Sequence, residues 1–560
     1  MTEILPTSRM DDVAARFWEA YLELSPSMAT VYGDDRYDDR LDDPGPAGRA
    51  ALRSLSERAR DEALAVPADT LSVEDRITRD MLGIVADLHV QADDLSIHEL
   101  QTLSHIDGAQ TLLAQLAVFQ PADTPERLER WLQRLRGYDA LLDASITILR
   151  EGMASGRTSA RIVAERTISQ LEGLLGLPVD ASPVVRLSRV ADDAAREQVA
   201  GVVRDVVRPA DRRLLDFLRD EYLATTREHP GLASVPGGDE LYRYAIRAWT
   251  TLDMEPRDVH EVGLEELAEI DRERRIIARD QGFGDDVDGY RRALAADPAN
   301  QATTPEALLA RARENIARAA AVAPQVFGRL PVADCEVRPV EAFKEQDAPF
   351  AYYFPPSVDQ SRPGIYYVNT YDLPSRTFGK LASITYHEAI PGHHFQVALE
   401  MEQTSLNVFR RLGSRMVGAA YVEGWGLYSE RLADELGLYC HPGERLGMLD
   451  AQAWRASRLI VDSGLHGLGW TRRQSIDWML ATGLSETDAV IETDRYIVWP
   501  GQALSYMTGL REIRRLRREL ETTLGAGFEL RRFHDELLGH GSLPLATLAR
   551  ELPRWMGATS

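Results

Sequence analysis

Apolar residues recur with the 3.6-residue period of an α-helix along nearly the whole chain, and one short stretch interrupts that period. The helical period runs from the start to about residue 330 and resumes at about Phe378. Between them, residues 335–340, 350–354 and 364–369 are short, rich in β-branched or aromatic residues, and bounded by Pro and Gly, which is typical of strands. The sequence therefore predicts a mainly α protein with one small β-sheet.

Two helix starts in the first part of the chain are explicit. Thr124-Pro125-Glu126 and Thr304-Pro305-Glu306 each place a capping hydroxyl before a Pro in the first helical turn. The first start is followed by a single apolar stripe made of Leu128, Trp131, Leu132, Leu135, Tyr138, Leu141 and Leu142. We interpret both segments as helices that face the core, and we assign no chemistry to them.

The 560 residues, 44% of them hydrophobic, are enough for a large core, and no Gly/Ser-rich or Pro-rich linker divides them. We therefore predict one large bilobed domain over residues 1–560. Its helical N-terminal lobe would span residues 1–330. Its catalytic lobe, residues 331–560, would hold the small sheet and the metal-binding helices.

The net charge of −24 argues against nucleic acid or an anionic membrane as a partner, because the protein's field repels phosphate. Cys335 and Cys440 are the only cysteines, too few for a disulfide framework.

Residues 1–9 lead into Asp11-Asp12 without an apolar stretch, and no segment of the sequence is apolar enough to span a membrane. The expected compartment is the cytoplasm.

Residues 387–394 read HEAIPGHH and carry the clearest chemical signal. A His-Glu pair followed by another His is what a zinc hydrolase needs, since neutral imidazoles bind the ion and the carboxylate activates the attacking water. The usual spacing is H-E-x-x-H, whereas here Pro391 stands in the last position. On a straight helix His387 and His393 would lie about 9 Å apart along the axis and on different faces.

Pro391-Gly392 offers the distortion that chelation requires. Pro removes a backbone donor and clashes with the preceding turn, while Gly tolerates unusual dihedral angles, so the pair predicts a bulge or a break in the helix. The break would bring a second His back to the ion beside His387. His393 is favoured because it follows the Gly, and His394 stays open as the alternative ligand.

A third ligand is expected from a following helix. Glu423 lies among Tyr, Trp and Gly residues, which is not a typical solvent-facing environment, and we predict that it binds the metal. Glu430 lies seven positions later on the same face and could orient a ligand. The alternative is that both are solvated helix charges. Similar His-Glu or His-Asp segments at residues 98–99, 260–261 and 534–540 show that such short motifs are not specific.

Four ordered segments together are far more specific. HEAIPGHHFQ at residues 387–396, EGWGLY at 423–428, DSGLHGLGW at 462–470 and RYIVWPGQALSY at 495–506 strongly resemble the bacterial family called domain of unknown function 885. The resemblance covers most of the chain and extends to its C-terminal end. The chain departs from the pattern at Met507, where relatives often have Lys, and this departure would affect substrate preference rather than metal binding.

That family is grouped with zincin-like metallopeptidases of the gluzincin type. The resemblance therefore implies a zincin-like fold with a small sheet beside the active-site helix, and it implies no defined substrate. Tyr506 resembles the late tyrosine that donates a hydrogen bond to the oxyanion in helical metallopeptidases, and His466 is the second candidate. Each has the alternative of a structural role, as a core tyrosine or a turn histidine.

Further candidates concern the substrate. Arg458 or Arg495 could bind a substrate carboxylate, although internal ion pairs with Asp462, Asp494 or Glu492 are the more ordinary roles. The strand at residues 364–369 could pair with an extended peptide, or be an ordinary buried strand.

We expect a zinc-dependent hydrolase in which Glu388 accepts a proton from the attacking water and the substrate is a short peptide or peptide-like amide. One alternative is the same chemistry on a non-peptide metabolite, and another is a helical scaffold that binds metal without turnover. A third is a redox-active iron or manganese ion, because His and carboxylate ligands suit these metals too.

Overall fold

The computed structural model describes residues 8–341, 345, 348–356 and 362–558. Helices make up 72% of the structure, and the strands form two small sheets, so the predicted mainly α class is confirmed. Among the described helices, none combines the length and apolar character needed to cross a bilayer. Residues 1–7, on which the expectation about the N-terminal segment mostly rests, lie outside the described residues.

Two compact units make up the chain. The first comprises Met1–Ala245, Gly464–Asp477 and Glu486–Pro500. The second comprises Ile246–Ser463, Trp478–Ser485 and Gly501–Ser560. The helices up to residue 250 are α1 (Arg9–Leu24), α2 (Pro26–Val31), α3 (Pro46–Leu64), α4 (Val73–Asp94), α5 (His98–Gln101), α6 (Ala109–Phe119), α7 (Pro125–Ser155), α8 (Arg161–Gly176), α9 (Pro183–Leu187), α10 (Asp193–Val202), α11 (Arg208–Phe217) and α12 (Gly238–Thr250).

The second unit contains most of the later helices, and α20 to α22 include residues of the first. They are α13 (Pro256–Asp280), α14 (Val287–Ala296), α15 (Pro305–Val326), α16 (Phe378–Glu388), α17 (His393–Glu402), α18 (Val408–Leu412), α19 (Ala419–Glu435), α20 (Pro442–His466), α21 (Arg472–Ala481), α22 (Glu486–Val498), α23 (Ser505–Leu524), α24 (Leu530–Leu538) and α25 (Leu545–Trp555).

The boundary near residue 245 differs from the predicted lobe boundary at 330. Helix α13 belongs to the second unit because its Gly263 lies against Leu459 and Ile460 of α20, with no space for a side chain. Helix α15 packs in a common core with the small sheet and with α16. Residues 246–330 therefore support the helices that carry the metal motif.

Both predicted helix starts are confirmed. The hydroxyl of Thr124 accepts a hydrogen bond from the Arg127 N–H at 3.3 Å, and that of Thr304 accepts one from the Ala307 N–H at 3.2 Å. The apolar stripe of α7 is buried as predicted, except that Leu141 is half-buried. These contacts satisfy backbone donors that the first turn of a helix otherwise leaves unpaired.

The three predicted strands are confirmed as β3 (Cys335–Pro339), β4 (Ala351–Phe354) and β5 (Gly364–Val368), after a two-residue parallel pair, β1 (Pro121–Ala122) and β2 (Arg189–Val190), that was not predicted. The order is β3-β5-β4, with β5 parallel to β3 and antiparallel to β4. Strand β5 is therefore paired on both sides, which excludes the peptide pairing considered for residues 364–369. The two edge strands of this sheet are β3 and β4.

One buried carboxyl group in the first unit predicts a pH-dependent stability. Asp211 on α11 accepts a hydrogen bond from the Tyr138 hydroxyl at 2.8 Å, and burial raises its pKa to about 7. The unfolded chain releases this proton near pH 4, so the folded protein holds a proton that the unfolded chain lacks between about pH 4 and 7. Its contribution is most favourable below about pH 4 and falls as the pH rises to 7, by up to ~4 kcal/mol.

We expect Asp211→Asn to remove this dependence, because the amide oxygen still accepts from Tyr138 and carries no charge. The free energy of unfolding, measured by urea titration from pH 4 to 8, should fall less steeply with pH in the variant than in the wild type. Asp216→Asn, at an exposed position on the same helix, is the matched control and should leave the pH profile unchanged. Parallel profiles for wild type and Asp211→Asn would contradict the expectation.

Candidate metal centre

The helical break predicted at Pro391-Gly392 is present. Helix α16 ends at Glu388, four residues follow, and α17 begins at His393. The Ile390–Pro391 peptide bond is cis. A Cβ atom on Gly392 would lie 1.8 Å from the carbonyl oxygen of His387, so only glycine permits the connection to fold back this closely onto α16.

The break brings His387 and His393 together. Their ring centroids are 4.6 Å apart and the ring planes are nearly perpendicular, at 86°. Both rings point an Nε2 atom at the same carboxylate oxygen, Oε2 of Glu423 on α19, at 3.6 Å from His387 and 3.5 Å from His393. The structure thus gathers the three groups that the sequence analysis favoured as ligands.

These separations fit donors around one ion. Zinc lies about 2.1 Å from nitrogen and oxygen ligands, so two corners of a tetrahedron around it are ~3.4 Å apart. The two separations from the Glu423 oxygen are close to that value. The ligand atoms of His387, Glu388 and His393 also lie within 4.8 Å of one another, which places the proposed base beside the same point.

His387 lies between two carboxylates from one helix. Its Nδ1 hydrogen bonds to Oε1 of Glu430 at 2.8 Å, while its Nε2 faces Glu423. Burial alone would lower the pKa of His387, but the hydrogen bonds with Glu423 and Glu430 outweigh burial and raise it to about 9. Burial likewise acts to raise the pKa of Glu423, and its contacts with His387 and His393 instead hold it well below the usual range.

Glu388 is held by the edge strand β4. Its Oε2 accepts a hydrogen bond from the backbone N–H of Tyr353 on β4 at 3.1 Å. This contact helps to fix the carboxylate beside the two imidazoles. Sequence reasoning missed it, because a backbone donor 35 residues away leaves no local signal.

His394, the alternative ligand, is directed elsewhere. Its Nδ1 lies 3.0 Å from the Tyr353 hydroxyl and its Nε2 lies 3.1 Å from the Ala333 carbonyl oxygen. Burial lowers its pKa to about 4, so the ring is neutral at pH 7. Both nitrogens are occupied, and His393 is the one of the two that approaches Glu423.

Tyr506, the first oxyanion candidate, lies near the start of α23. This helix packs against α19 so closely that a Cβ on Gly424 would lie 2.4 Å from the backbone of Gly509. Tyr506 is one turn before that contact, and Glu423 directly precedes Gly424. The guanidinium of Arg458 lies 4.5 Å from the centre of the Tyr506 ring, in a cation–π contact.

His466 has no nitrogen to offer an oxyanion. Its Nδ1 accepts a hydrogen bond from the Leu232 N–H at 3.2 Å, and its Nε2 hydrogen bonds to the Tyr496 carbonyl oxygen at 2.9 Å. Burial lowers its pKa to about 4. This second oxyanion candidate is corrected to a structural histidine of the first unit, which leaves Tyr506 as the candidate donor.

The arginine candidates are already in contact with protein groups. Arg495 lies 3.5 Å from Glu492 on the same helix, which is one of the internal ion pairs considered for it. Arg458 stacks on Trp454 as well as on Tyr506, with 4.5 Å to the centre of each ring. Neither contact defines a site for a substrate carboxylate.

The other His-acid segments do not form comparable centres. His260 contacts the Ile460 carbonyl and the Ser463 hydroxyl, and His534 is buried between the Val326 carbonyl and the Tyr428 hydroxyl. Among the described residues, His387, Glu388 and His393 form the one group of three His, Cys, Asp or Glu side chains with metal-ligand spacing.

Helix α19 contributes a further contact that the sequence analysis missed. A Cβ on Gly426 would lie 2.6–3.0 Å from three atoms of the His387 ring. The ring cannot move aside without leaving Glu430 and Glu423. The available signal was Gly426 itself, which lies three residues after Glu423 and four before Glu430 and therefore on their face of the helix.

We expect Gly426→Ala to displace the His387 ring, at a cost of ~1–3 kcal/mol for overpacking. Zinc affinity should fall about tenfold to a hundredfold, measured by competition with a chromogenic chelator. Gly83→Ala is the matched control, because Gly83 is also within a helix and a Cβ at that position would have no neighbouring atom within 4 Å. Unchanged zinc affinity in Gly426→Ala would show that His387 is not a ligand held in this position.

The chain belongs to the family described as bacterial protein of unknown function DUF885, whose family model matches residues 26–552. A solved structure of a candidate lipoprotein from Colwellia psychrerythraea is similar, with a TM-score of 0.89 and 28% identity, covering 99% of this chain and 100% of that one. A candidate lipoprotein of unknown function from Shewanella oneidensis has the same fold, with a TM-score of 0.76, 19% identity, and coverage of 97% and 99%. No curated protein matches the chain.

Proposed function

We propose that this protein is a zincin-like, zinc-dependent hydrolase that cleaves an amide bond in a short peptide or peptide-like substrate. The observation that carries the proposal is the approach of His387 Nε2 and His393 Nε2 to one oxygen of Glu423, at 3.6 and 3.5 Å. Two imidazoles and a carboxylate are a common donor set for catalytic zinc. The helical break and the glycines around it support this arrangement.

His387, His393 and Glu423 would hold the ion. When bound, zinc supplies a Lewis acid that polarises a carbonyl group and makes water acidic. Glu430 keeps the Nδ1 hydrogen bond of His387, which orients the ring and leaves Nε2 for the ion. This division of roles uses both carboxylates that α19 presents seven residues apart.

Glu388 is the general base. Its carboxylate lies beside the ligand atoms and takes the proton of the attacking water, and it then delivers that proton to the nitrogen of the departing amine. The Tyr353 N–H holds one carboxylate oxygen, so the other oxygen is the one that exchanges the proton. An amide needs this delivery, because an unprotonated amine anion is a very poor leaving group.

Tyr506 is proposed as the donor to the oxyanion. Its helix is fixed against α19 by the Gly424–Gly509 contact, next to Glu423. Arg458 stacked on its ring limits the positions that the phenol can take. A single donor of this kind contributes about 10²–10³-fold to the rate in other hydrolases.

The proposal is tested by metal content together with turnover. The full chain, purified without added metal and dialysed against zinc, should contain about one zinc per chain and should hydrolyse members of a peptide library. A chelator should abolish this hydrolysis, and zinc should restore it. A protein that holds no metal after zinc dialysis would overturn the proposal.

The other outcomes separate the remaining candidates. Turnover of non-peptide amides alone would make the substrate a metabolite, and stoichiometric zinc without any turnover would indicate a metal-binding scaffold. Iron or manganese in place of zinc, with metal-dependent oxygen uptake, would indicate redox chemistry.

A further inference from the structure

The two imidazoles of the candidate centre are supported in different ways. His387 has Glu430 on its Nδ1, the kind of partner that usually fixes the orientation of a metal-binding histidine. The Nδ1 of His393 is buried and has no hydrogen-bond partner among the described residues. The orientation of the His393 ring must therefore come from its backbone and from packing.

That backbone is held by an indole. The Nε1–H of Trp425 donates to the carbonyl oxygens of Pro391 at 2.9 Å and Gly392 at 3.2 Å. The Ser429 hydroxyl, one turn further along α19, donates to the Pro391 oxygen at 3.3 Å. These are the two carbonyl groups directly before His393. The Gly392 carbonyl belongs to the peptide plane that leads into His393, so fixing it fixes the direction in which α17 starts.

Trp425 itself has little freedom to move. The side chain is fully buried, and its ring packs against Phe327, Tyr428 and His534, with centroid distances of 6.1, 5.5 and 5.9 Å. The break also contains Gly392, which contributes no side-chain contact of its own. A rigid donor thus faces the carbonyl groups of the break.

We propose that Trp425 is the positioning residue for His393, acting through the main chain as Glu430 acts on His387 through its side chain. This inference rests on the metal centre proposed above. It follows that the indole N–H contributes to metal affinity, although it contacts two main-chain carbonyl oxygens and not the proposed metal site. Ser429 has a smaller share, because its hydrogen bond is longer and it also donates to the Trp425 carbonyl oxygen at 2.8 Å.

Trp425→Phe removes the N–H and keeps an aromatic ring in the core. We expect zinc to bind about 10- to 100-fold more weakly, the range seen when a partner that orients a metal ligand is lost. Affinity is measured by competition with a chromogenic chelator on full-length protein whose folding is checked by circular dichroism. Trp555→Phe is the matched control, because the Trp555 indole N–H has no hydrogen-bond partner among the described residues, and it should bind zinc as the wild type does.

Double variants distinguish a positioning role of Trp425 from a merely structural one. If Trp425 acts through His393, then Trp425→Phe should cost no further zinc affinity in a His393→Ala background. In a Glu430→Ala background it should cost its full amount, since Glu430 acts on the other imidazole. Equal losses in both backgrounds would indicate general loosening of the core and would overturn the inference.

Ser429→Ala covers the case in which Trp425→Phe does not fold. It should weaken zinc binding severalfold, and this effect should also vanish in the His393→Ala background. If wild-type protein binds zinc and neither Trp425→Phe nor Ser429→Ala weakens it, this inference alone fails. If wild-type protein binds no zinc, the proposed function fails, and the inference fails with it.

Discussion

Glu388→Gln is expected to lower kcat by about 10²- to 10⁴-fold while zinc content stays at the wild-type level. Glutamine has the shape of glutamate and still accepts the Tyr353 N–H, so the site keeps its geometry. It has no basic oxygen, so in the proposed mechanism the attacking water would keep its proton and the amine nitrogen would receive none. The measurement is kcat and KM on the best peptide from the library, beside zinc content per chain.

The control for this variant is Glu519→Gln, an exposed glutamate on α23 that pairs with Arg515. It should retain wild-type kcat. A Glu388→Gln protein that keeps zinc and full activity would exclude Glu388 as the base. A variant that loses zinc would show instead that Glu388 binds the ion.

The second large expected effect is weaker zinc binding when one of the proposed metal ligands is removed. His387→Ala, His393→Ala and Glu423→Ala should each weaken zinc binding about 100-fold, taking one ligand as roughly 3 kcal/mol of a site worth ~12 kcal/mol. His394→Ala should keep its zinc, because both nitrogens of that ring are engaged by Tyr353 and Ala333. Zinc per chain is measured by elemental analysis after dialysis, and affinity by chelator competition.

His394→Ala is the internal control of this series, since it removes the adjacent imidazole from the same helix turn. It should lower the free energy of unfolding, because a buried ring with two hydrogen bonds is lost. Zinc lost from His394→Ala but kept by His393→Ala would reverse the assignment of the second imidazole.

The sequence was sufficient for those parts of the fold that local chemistry determines. The capping threonines at residues 124 and 304, the three strands of the small sheet and the break at Pro391-Gly392 were all predicted from neighbouring residues. The helical period that resumes at about Phe378 does not show the interruption between α18 and α19, where the structure has a 3-10 turn, Gly413–Met416. Gly413 begins that turn and Gly418 precedes α19, and glycine favours such interruptions.

Contacts between elements far apart in the chain could not be predicted from the sequence. Helix geometry alone left His393 and His394 open, because the direction of α17 after the break depends on Trp425 and on the packing of α19. The Tyr353 N–H beside Glu388 could not be predicted, since backbone donors carry no residue-type signal. His466 was misjudged for a related reason: its partners are backbone groups at Leu232 and Tyr496.

Most of the side chains that contact the two imidazoles or the break between them come from one helix, α19, over the eight residues from Glu423 to Glu430. Inserting or deleting one residue in that span would rotate everything beyond it by about 100° relative to Glu423. Glu430 would then leave the His387 ring. A change of chain length between Glu423 and Glu430 would therefore separate these supports from one another, whereas a substitution in the same span keeps the others in register.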